Sequence, residues 1–309
     1  VIRAAAAVAT AALLAALSAC SGDPDDGAAA VPPSAASTPS TPSSPSTPAT
    51  PATSGSPTTP ASPSAPAVGP QYVALGDSYA AAPGVPATSG ADGCFRSSGN
   101  YAQLVAARTG LSVTDVTCSG ATTQDVLTRQ VPSLSAETEL VTVGIGGNDS
   151  DLFTSLLQSC LGLASSDPGG TPCSDAIGAQ VDQTLPRTEA DLGTLFDAIA
   201  EAAPDAQVLV VGYPRLLPTS GSCPDLVPLA AGDYPLLNEV TDRLSGALRT
   251  QASAHDFEFV DLARPSRGHD ICSADPWVNG VSVAPDGTIP FHPFAAEQRA
   301  VAGIITTFL

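Results

Sequence analysis

Gly76-Asp77-Ser78 closes a short apolar run, Tyr72-Val73-Ala74-Leu75, and puts a serine hydroxyl where a chain leaving a buried strand must turn sharply. At the carboxyl edge of a sheet, where open α/β folds keep their ligands, such a hydroxyl is placed to attack an acyl group. Acyl transfer needs an activated hydroxyl, a base for its proton, and N–H donors aimed at the oxygen that becomes negative. Three later segments carry the remaining residue types. Cys118-Ser119-Gly120-Ala121-Thr122-Thr123 follows a second strand-like run, Gly146-Gly147-Asn148-Asp149 ends a third, and Ile289-Pro290-Phe291-His292-Pro293 lies near the carboxyl terminus. Taken singly, each is also ordinary turn composition, because Gly, Asn, Asp and Ser fill turns of every kind.

The Gly120 amide and the Asn148 side-chain amide follow strand ends on the edge that carries Ser78, and with the Ser78 amide they make three candidate donors. The chain has 3 histidines. His255 falls in a polar helix end, and His269 sits between Gly268 and Asp270. His292 precedes Pro293, a residue suited to a first helical turn, which puts it in a loop above the sheet edge. Two other motifs do not hold. Gly76-x-Ser78-x-Ala80 is half of a nucleophile elbow, and it opens the domain instead of following several strands. Gly144-Ile145-Gly146-Gly147 has Asp149 where a dinucleotide loop needs its third glycine, so no cofactor is expected.

The elements that must position these groups alternate. Strand-like runs cover residues 72–75, 111–117, 139–145, 207–211 and 257–262. Helical spacing covers 100–109, 123–130, 150–161, 176–202, 233–253 and 294–307. Strands alternating with crossover helices imply a parallel sheet covered on both faces. Residues 70–309, roughly 240 of them, suffice for one domain with a full core.

Lys and Arg number 11 against 30 Asp and Glu, a net charge of −19 that repels nucleic acid and anionic lipid surfaces. Of 7 cysteines, Cys20 lies in the leader and six lie in the domain, which suits an oxidising compartment. No CxxC pair occurs and no histidine stands at zinc spacing, so no metal is expected. Residues 1–19 read as a signal peptide, with Arg3 before an Ala/Leu/Val core too short to span a bilayer. Leu17-Ser18-Ala19-Cys20 resembles a lipobox, with Cys20 as the lipidated residue that anchors the chain to the outer face of the cell membrane. Residues 20–69 are rich in Ser, Thr, Pro and Ala, cannot bury enough apolar surface to order, and read as a stalk that would reach ~150 Å if extended.

Ser78, Gly120, Asn148 and His292, in that chain order within residues 70–309, resemble the four blocks of the SGNH/GDSL hydrolase superfamily. The resemblance is strongest to the secreted lipases and esterases of high-GC Gram-positive bacteria, which also carry six cysteines. It implies a flavodoxin-like three-layer α/β/α sandwich around a mainly parallel five-stranded sheet. It also implies a serine esterase or lipase that cleaves small-molecule or lipid carboxylic esters through an acyl-serine; a monomer is expected. Ser78 would be the nucleophile, His292 the base, and Gly120 and Asn148 oxyanion donors. Six domain cysteines leave the pairing open; the resemblance favours Cys94–Cys118, Cys160–Cys173 and Cys223–Cys272.

Two positions depart from that pattern. Tyr79 replaces the usual Leu after Gly-Asp-Ser, and Ile289 stands three before His292, where the pattern has Asp. A neutral imidazole needs an acceptor for the proton on its second nitrogen, and a backbone carbonyl can serve without adding charge. Some members of the group that the chain resembles use a main-chain carbonyl three before the His, so the resemblance makes the Ile289 carbonyl the expected orienter, with the Asp286 carboxylate as the alternative. An O-acetyl esterase or acyltransferase for cell-wall or exported polysaccharide would use the same residues. A surface binding protein that no longer turns over is the reading from a different class.

Overall fold

The structure, a computed structural model, describes residues 71–309. The signal peptide expected over 1–19, the lipidated Cys20 and the stalk over 20–69 lie outside the described residues. In chain order the strands are β1 (Tyr72–Gly76), β2 (Thr88–Ser89), β3 (Arg96–Ser97), β4 (Val113–Asp115), β5 (Leu140–Gly144), β6 (Gln207–Val211) and β7 (Glu258–Val260). The helices are α1 (Ser78–Ala81), α2 (Tyr101–Thr109), α3 (Thr123–Asp125), α4 (Leu152–Leu163), α5 (Pro172–Ala202), α6 (Tyr234–Ala254) and α7 (Ala295–Ile305).

Five strands form one parallel sheet in the order β4-β1-β5-β6-β7, and β2 pairs with β3 as a separate antiparallel ribbon. Every residue of β1 and β5 is buried, the mark of a strand covered on both faces. Side chains alternate between two cores. Val73, Leu75, Val141 and Val143 pack toward α5 and α6 through Leu192, Phe196, Leu244 and Leu248. Tyr72, Ala74, Leu209 and Val211 pack toward α2 and α7 through Tyr101, Val105, Val301 and Ile305. This is the expected three-layer sandwich. Leu75 is fully buried, so its truncation to Ala would cost about 2–5 kcal/mol.

Strand order reverses at the β1/β5 pair, where an open α/β sheet leaves a crevice beyond its carboxyl ends. Gly76 pairs with Gly144 at the last position of both strands. The turns that carry Ser78 and Asn148 thus leave the sheet at the same level.

Three elements differ from the sequence periodicity. The run over 111–117 contracts to the edge strand β4, because the Asp115 carboxylate takes the Thr117 N–H (3.1 Å) and hydroxyl (2.6 Å) and turns the chain out of the ladder. The helix over 123–130 is α3 followed by one wide π-helical turn, Val126–Gln130. That turn ends on Gln130, whose side-chain amide clamps the Gly76 N–H (2.7 Å) and carbonyl (3.0 Å). Helix α5 starts at Pro172, ahead of the expected 176, because the Asp233 carboxylate accepts the Cys173 and Ser174 N–H groups, both at 3.0 Å.

Disulfides stiffen the loops. Cys94–Cys118 ties the β2–β3 turn to the segment before Gly120, Cys160–Cys173 joins α4 to α5, and Cys223–Cys272 joins the loops after β6 and β7. Among the described residues no helix is long and apolar enough to cross a membrane.

Candidate active site

The turn after β1 is built around one glycine that tolerates no side chain. Gly76 has φ +144, and a Cβ there would lie 2.5 Å from the Gly144 carbonyl oxygen. Asp77 then caps α1, its Oδ1 accepting the Tyr79 N–H at 2.9 Å, and makes Ser78 the first helical residue. A first-turn N–H has no intrahelical partner. That of Ser78 donates to no acceptor among the described residues and is free for a ligand. The Ser78 side chain is nearly buried, with 8 % of the residue exposed.

Asp77 faces inward. Its Oδ2 accepts the Tyr213 hydroxyl at 2.5 Å, and that same hydroxyl accepts the Gly147 N–H at 3.1 Å. Burial pushes the Asp77 carboxyl up to about 7 against these hydrogen bonds. Gly147 precedes Asn148, whose Nδ2 donates one hydrogen to the Ala121 carbonyl at 2.9 Å and keeps the other free. Asp149 accepts the Thr123 N–H (2.8 Å) and hydroxyl (2.9 Å), and burial raises its carboxyl to about 6. The loops 118–123 and 146–149 are thereby joined in two places.

Gly120, at φ +82, lies between these ties and the Cys94–Cys118 disulfide. Its N–H donates to no acceptor among the described residues. It lines a depression with Cys94, Arg96 and Asp125, and is not among the residues that line the cavity of Ser78.

His292 is half-buried, and burial lowers its pKa below the ordinary imidazole value while a backbone hydrogen bond pulls the other way. That bond corrects the expected orienter. The Nδ1 atom lies 2.8 Å from the Pro290 carbonyl oxygen, not that of Ile289. A carbonyl only accepts, so Nδ1 carries the hydrogen and Nε2 presents the lone pair. The Ile289 carbonyl instead takes the His292 backbone N–H (3.3 Å) and the Asn279 side-chain amide (3.2 Å). The physical reason is the left-handed Phe291 at φ 58, which folds the chain so that the carbonyl two residues before His292 meets its ring. Asp286 is no substitute, since its carboxylate caps the Thr288 N–H at 3.0 Å.

Ser78, Asn148 and His292 line one cavity, together with Tyr213 and a mostly apolar wall that includes Phe153, Leu157 and Leu216. Ser78 and His292 are not hydrogen-bonded to each other in this structure; such bonds often close only on substrate. His255 and His269 lie elsewhere, paired with Asp197 and stacked on Trp277 respectively. Among the described residues no three His, Cys, Asp or Glu side chains gather as metal ligands.

Two site residues escaped sequence reasoning. Tyr213 is the second residue past β6, so the strand-end rule that selected Ser78 and Asn148 also marks it. Asn279, whose side-chain amide donates to the Ser282, Thr288 and Ile289 carbonyls, holds the loop before His292 and has no local signal.

Residues 74–300 match the GDSL-like Lipase/Acylhydrolase family. Among curated proteins, Lipase 2 of Streptomyces coelicolor is 36% identical over 250 residues, 75% of this chain and 83% of its own length. Among solved structures, phospholipase A1 from Streptomyces albidoflavus NA297 superposes with a TM-score of 0.68 at 30% identity, covering 77% of this chain and 99% of its own. The extracellular lipase of Streptomyces rimosus gives 0.66 at 34% identity, covering 76% and 98%.

Proposed function

Since the chain belongs to the GDSL-like lipase/acylhydrolase family, we propose that it hydrolyses carboxylic esters through an acyl-serine on Ser78, with His292 as base and the Pro290 carbonyl as its orienter. One observation carries this reading: three segments distant in sequence bring Ser78, Asn148 and a His292 with a free Nε2 to the same cavity. In the first half-reaction Nε2 takes the Ser78 proton as Oγ attacks the acyl carbon. The oxygen that becomes negative is met by the Ser78 N–H, the Gly120 N–H and the free hydrogen of Asn148 Nδ2. His292 then returns the proton to the leaving alcohol, and a water attacks the acyl-serine by the reverse path.

The apolar wall of the cavity supports an ester with an apolar acyl chain over an acetyl group. The test is a series of p-nitrophenyl esters from acetyl to palmitoyl, run with wild type, Ser78→Ala and Asn148→Ala. Ser78→Ala abolishes turnover and fluorophosphonate labelling with the fold intact, and Asn148→Ala lowers kcat on the order of 100-fold. Activity retained in Ser78→Ala would remove the nucleophile.

Three disulfides and the similarity to an extracellular lipase support an extracytoplasmic location. The same reading takes 1–19 as a leader, Cys20 as a lipid attachment site and 20–69 as a stalk on which a monomeric catalytic domain is held. Palmitate labelling of wild type but not of Cys20→Ala checks the anchor.

A further inference from the structure

We infer that the Tyr79 hydroxyl positions the base: by holding the Phe291 carbonyl it fixes the turn whose preceding carbonyl, that of Pro290, orients the His292 ring. This rests on the assignment of Ser78 and His292 made above, and deepens it by naming what takes over the work of an absent carboxylate.

A carboxylate bonded to an imidazolium is a charge-assisted pair, roughly twice as strong as a neutral bond, so it holds the ring by its own energy. A carbonyl offers less. Its value as an orienter depends on how rigidly the backbone presents it. Here the backbone is in an unfavourable state, because Phe291 is a bulky residue at φ 58, a conformation that costs about 1–3 kcal/mol and persists only where the surroundings impose it. Three hydrogen bonds do so. The Phe291 N–H donates to the Gly280 carbonyl (3.1 Å), the His292 N–H to the Ile289 carbonyl (3.3 Å), and the Tyr79 hydroxyl to the Phe291 carbonyl (2.8 Å).

Only the last of these comes from the nucleophile's own segment. It joins the residue after Ser78 to the residue before His292, and so sets the separation of hydroxyl and imidazole as well as the tilt of the ring. Tyr79 is itself held at both ends. Its backbone carbonyl accepts the Gln298 Nε2–H at 3.0 Å, and its ring stands edge-on to Tyr213 at 5.2 Å and 5.8 Å from the His292 ring. The two departures noted in the motifs, Tyr at 79 and no acid at 289, thus become one arrangement: a donor stands where it can stiffen the turn that the missing acid would have made unnecessary.

The test compares Tyr79→Phe with Tyr234→Phe. Tyr234 also gives its hydroxyl to a backbone carbonyl, that of Val227 (2.6 Å), but lies outside the cavity. Tyr79→Phe is expected to lower kcat about tenfold or more, the equivalent of one hydrogen bond. Its KM stays within about threefold, and fluorophosphonate labelling slows by the same factor as kcat. Tyr234→Phe loses thermal stability and keeps kcat. Undiminished kcat in Tyr79→Phe, or an equal loss in Tyr234→Phe, overturns the inference. If Tyr79→Phe does not fold, p-aminophenylalanine at position 79, which keeps the ring and an N–H donor, decides: a folded, active protein supports the bond and a folded protein with collapsed kcat overturns it. Ser78→Ala in the same assay separates the two levels. A dead Ser78→Ala beside a fully active Tyr79→Phe sinks this inference alone, whereas an active Ser78→Ala sinks the assignment beneath it.

Discussion

The Tyr213 hydroxyl donates to Asp77 Oδ2 at 2.5 Å while it accepts the Gly147 N–H, so one phenol at the end of β6 ties the Ser78 turn to the Asn148 loop. Removing it leaves a buried carboxyl and a buried N–H each short of a partner. Tyr213→Phe is expected to destabilise the fold by about 1–3 kcal/mol in urea unfolding, the usual cost of orphaning buried polar groups. On the same grounds kcat falls on the order of tenfold, because nucleophile and oxyanion donor lose their common anchor.

The pH dependence of turnover has a definite sign. Burial lowers the His292 pKa, so the neutral imidazole that acts as base persists below the ordinary value of 6.5. The acid limb of kcat/KM therefore inflects below 6.5. Burial pushes Asp77, which lines the same cavity, up to about 7 and Asp149, in the adjoining loop, up to about 6, so the limb is assigned by following the His292 ring by NMR across the same range. A His292 titration above 6.5 would contradict the burial argument.

Glu297, on the first turn of α7, is 2 % exposed, and its carboxyl is pushed up to about 8 by burial. Its acceptor role toward Gln298 Nε2 at 2.7 Å does not offset that. A carboxyl raised on folding contributes stability that is fully present below its unfolded value near 4.5 and is lost as pH rises toward 8. Glu297→Gln removes that dependence. Thermal unfolding should show a midpoint raised by several degrees at pH 8 relative to wild type and a flatter profile between about pH 4.5 and 8.

Asp286→Asn tests the orienter from the other side. Since Asp286 only caps the Thr288 N–H, hydrolysis of p-nitrophenyl esters is expected to stay within about threefold of wild type. A drop of several orders of magnitude would mean that this carboxylate reaches the imidazole during turnover.

What could be read along the chain was whatever depends on near neighbours. The largely apolar runs of β1, β5 and β6 announce strands buried on both faces. Gly76, Gly120 and Gly146 mark the turns beyond strand ends, and four short segments carry the hydroxyl, the donors and the imidazole in order. Periodicity also found α2, α6 and α7 to within a residue or two. It failed where a distant side chain set the boundary, as Asp233 does for the start of α5 and Gln130 does in closing on Gly76.

By itself, then, the order of residues determined the layered α/β scaffold and the types of group that meet at its edge, because burial patterns and turn chemistry are local properties of a chain. Only the tertiary structure decided which carbonyl orients His292, that Tyr213 and Asn279 hold the loops, and that Tyr79 spans from nucleophile to base. The tyrosine bonds close between residues far apart, Tyr79 to Phe291 at a separation of 212 and Tyr213 to Asp77 at 136, while the short-range His292–Pro290 and Asn279 bonds depend on a left-handed turn at Phe291 that residue types do not announce. A shift of one residue in a backbone turn exchanges Ile289 for Pro290 as the acceptor, and nothing in residue type or spacing distinguishes them.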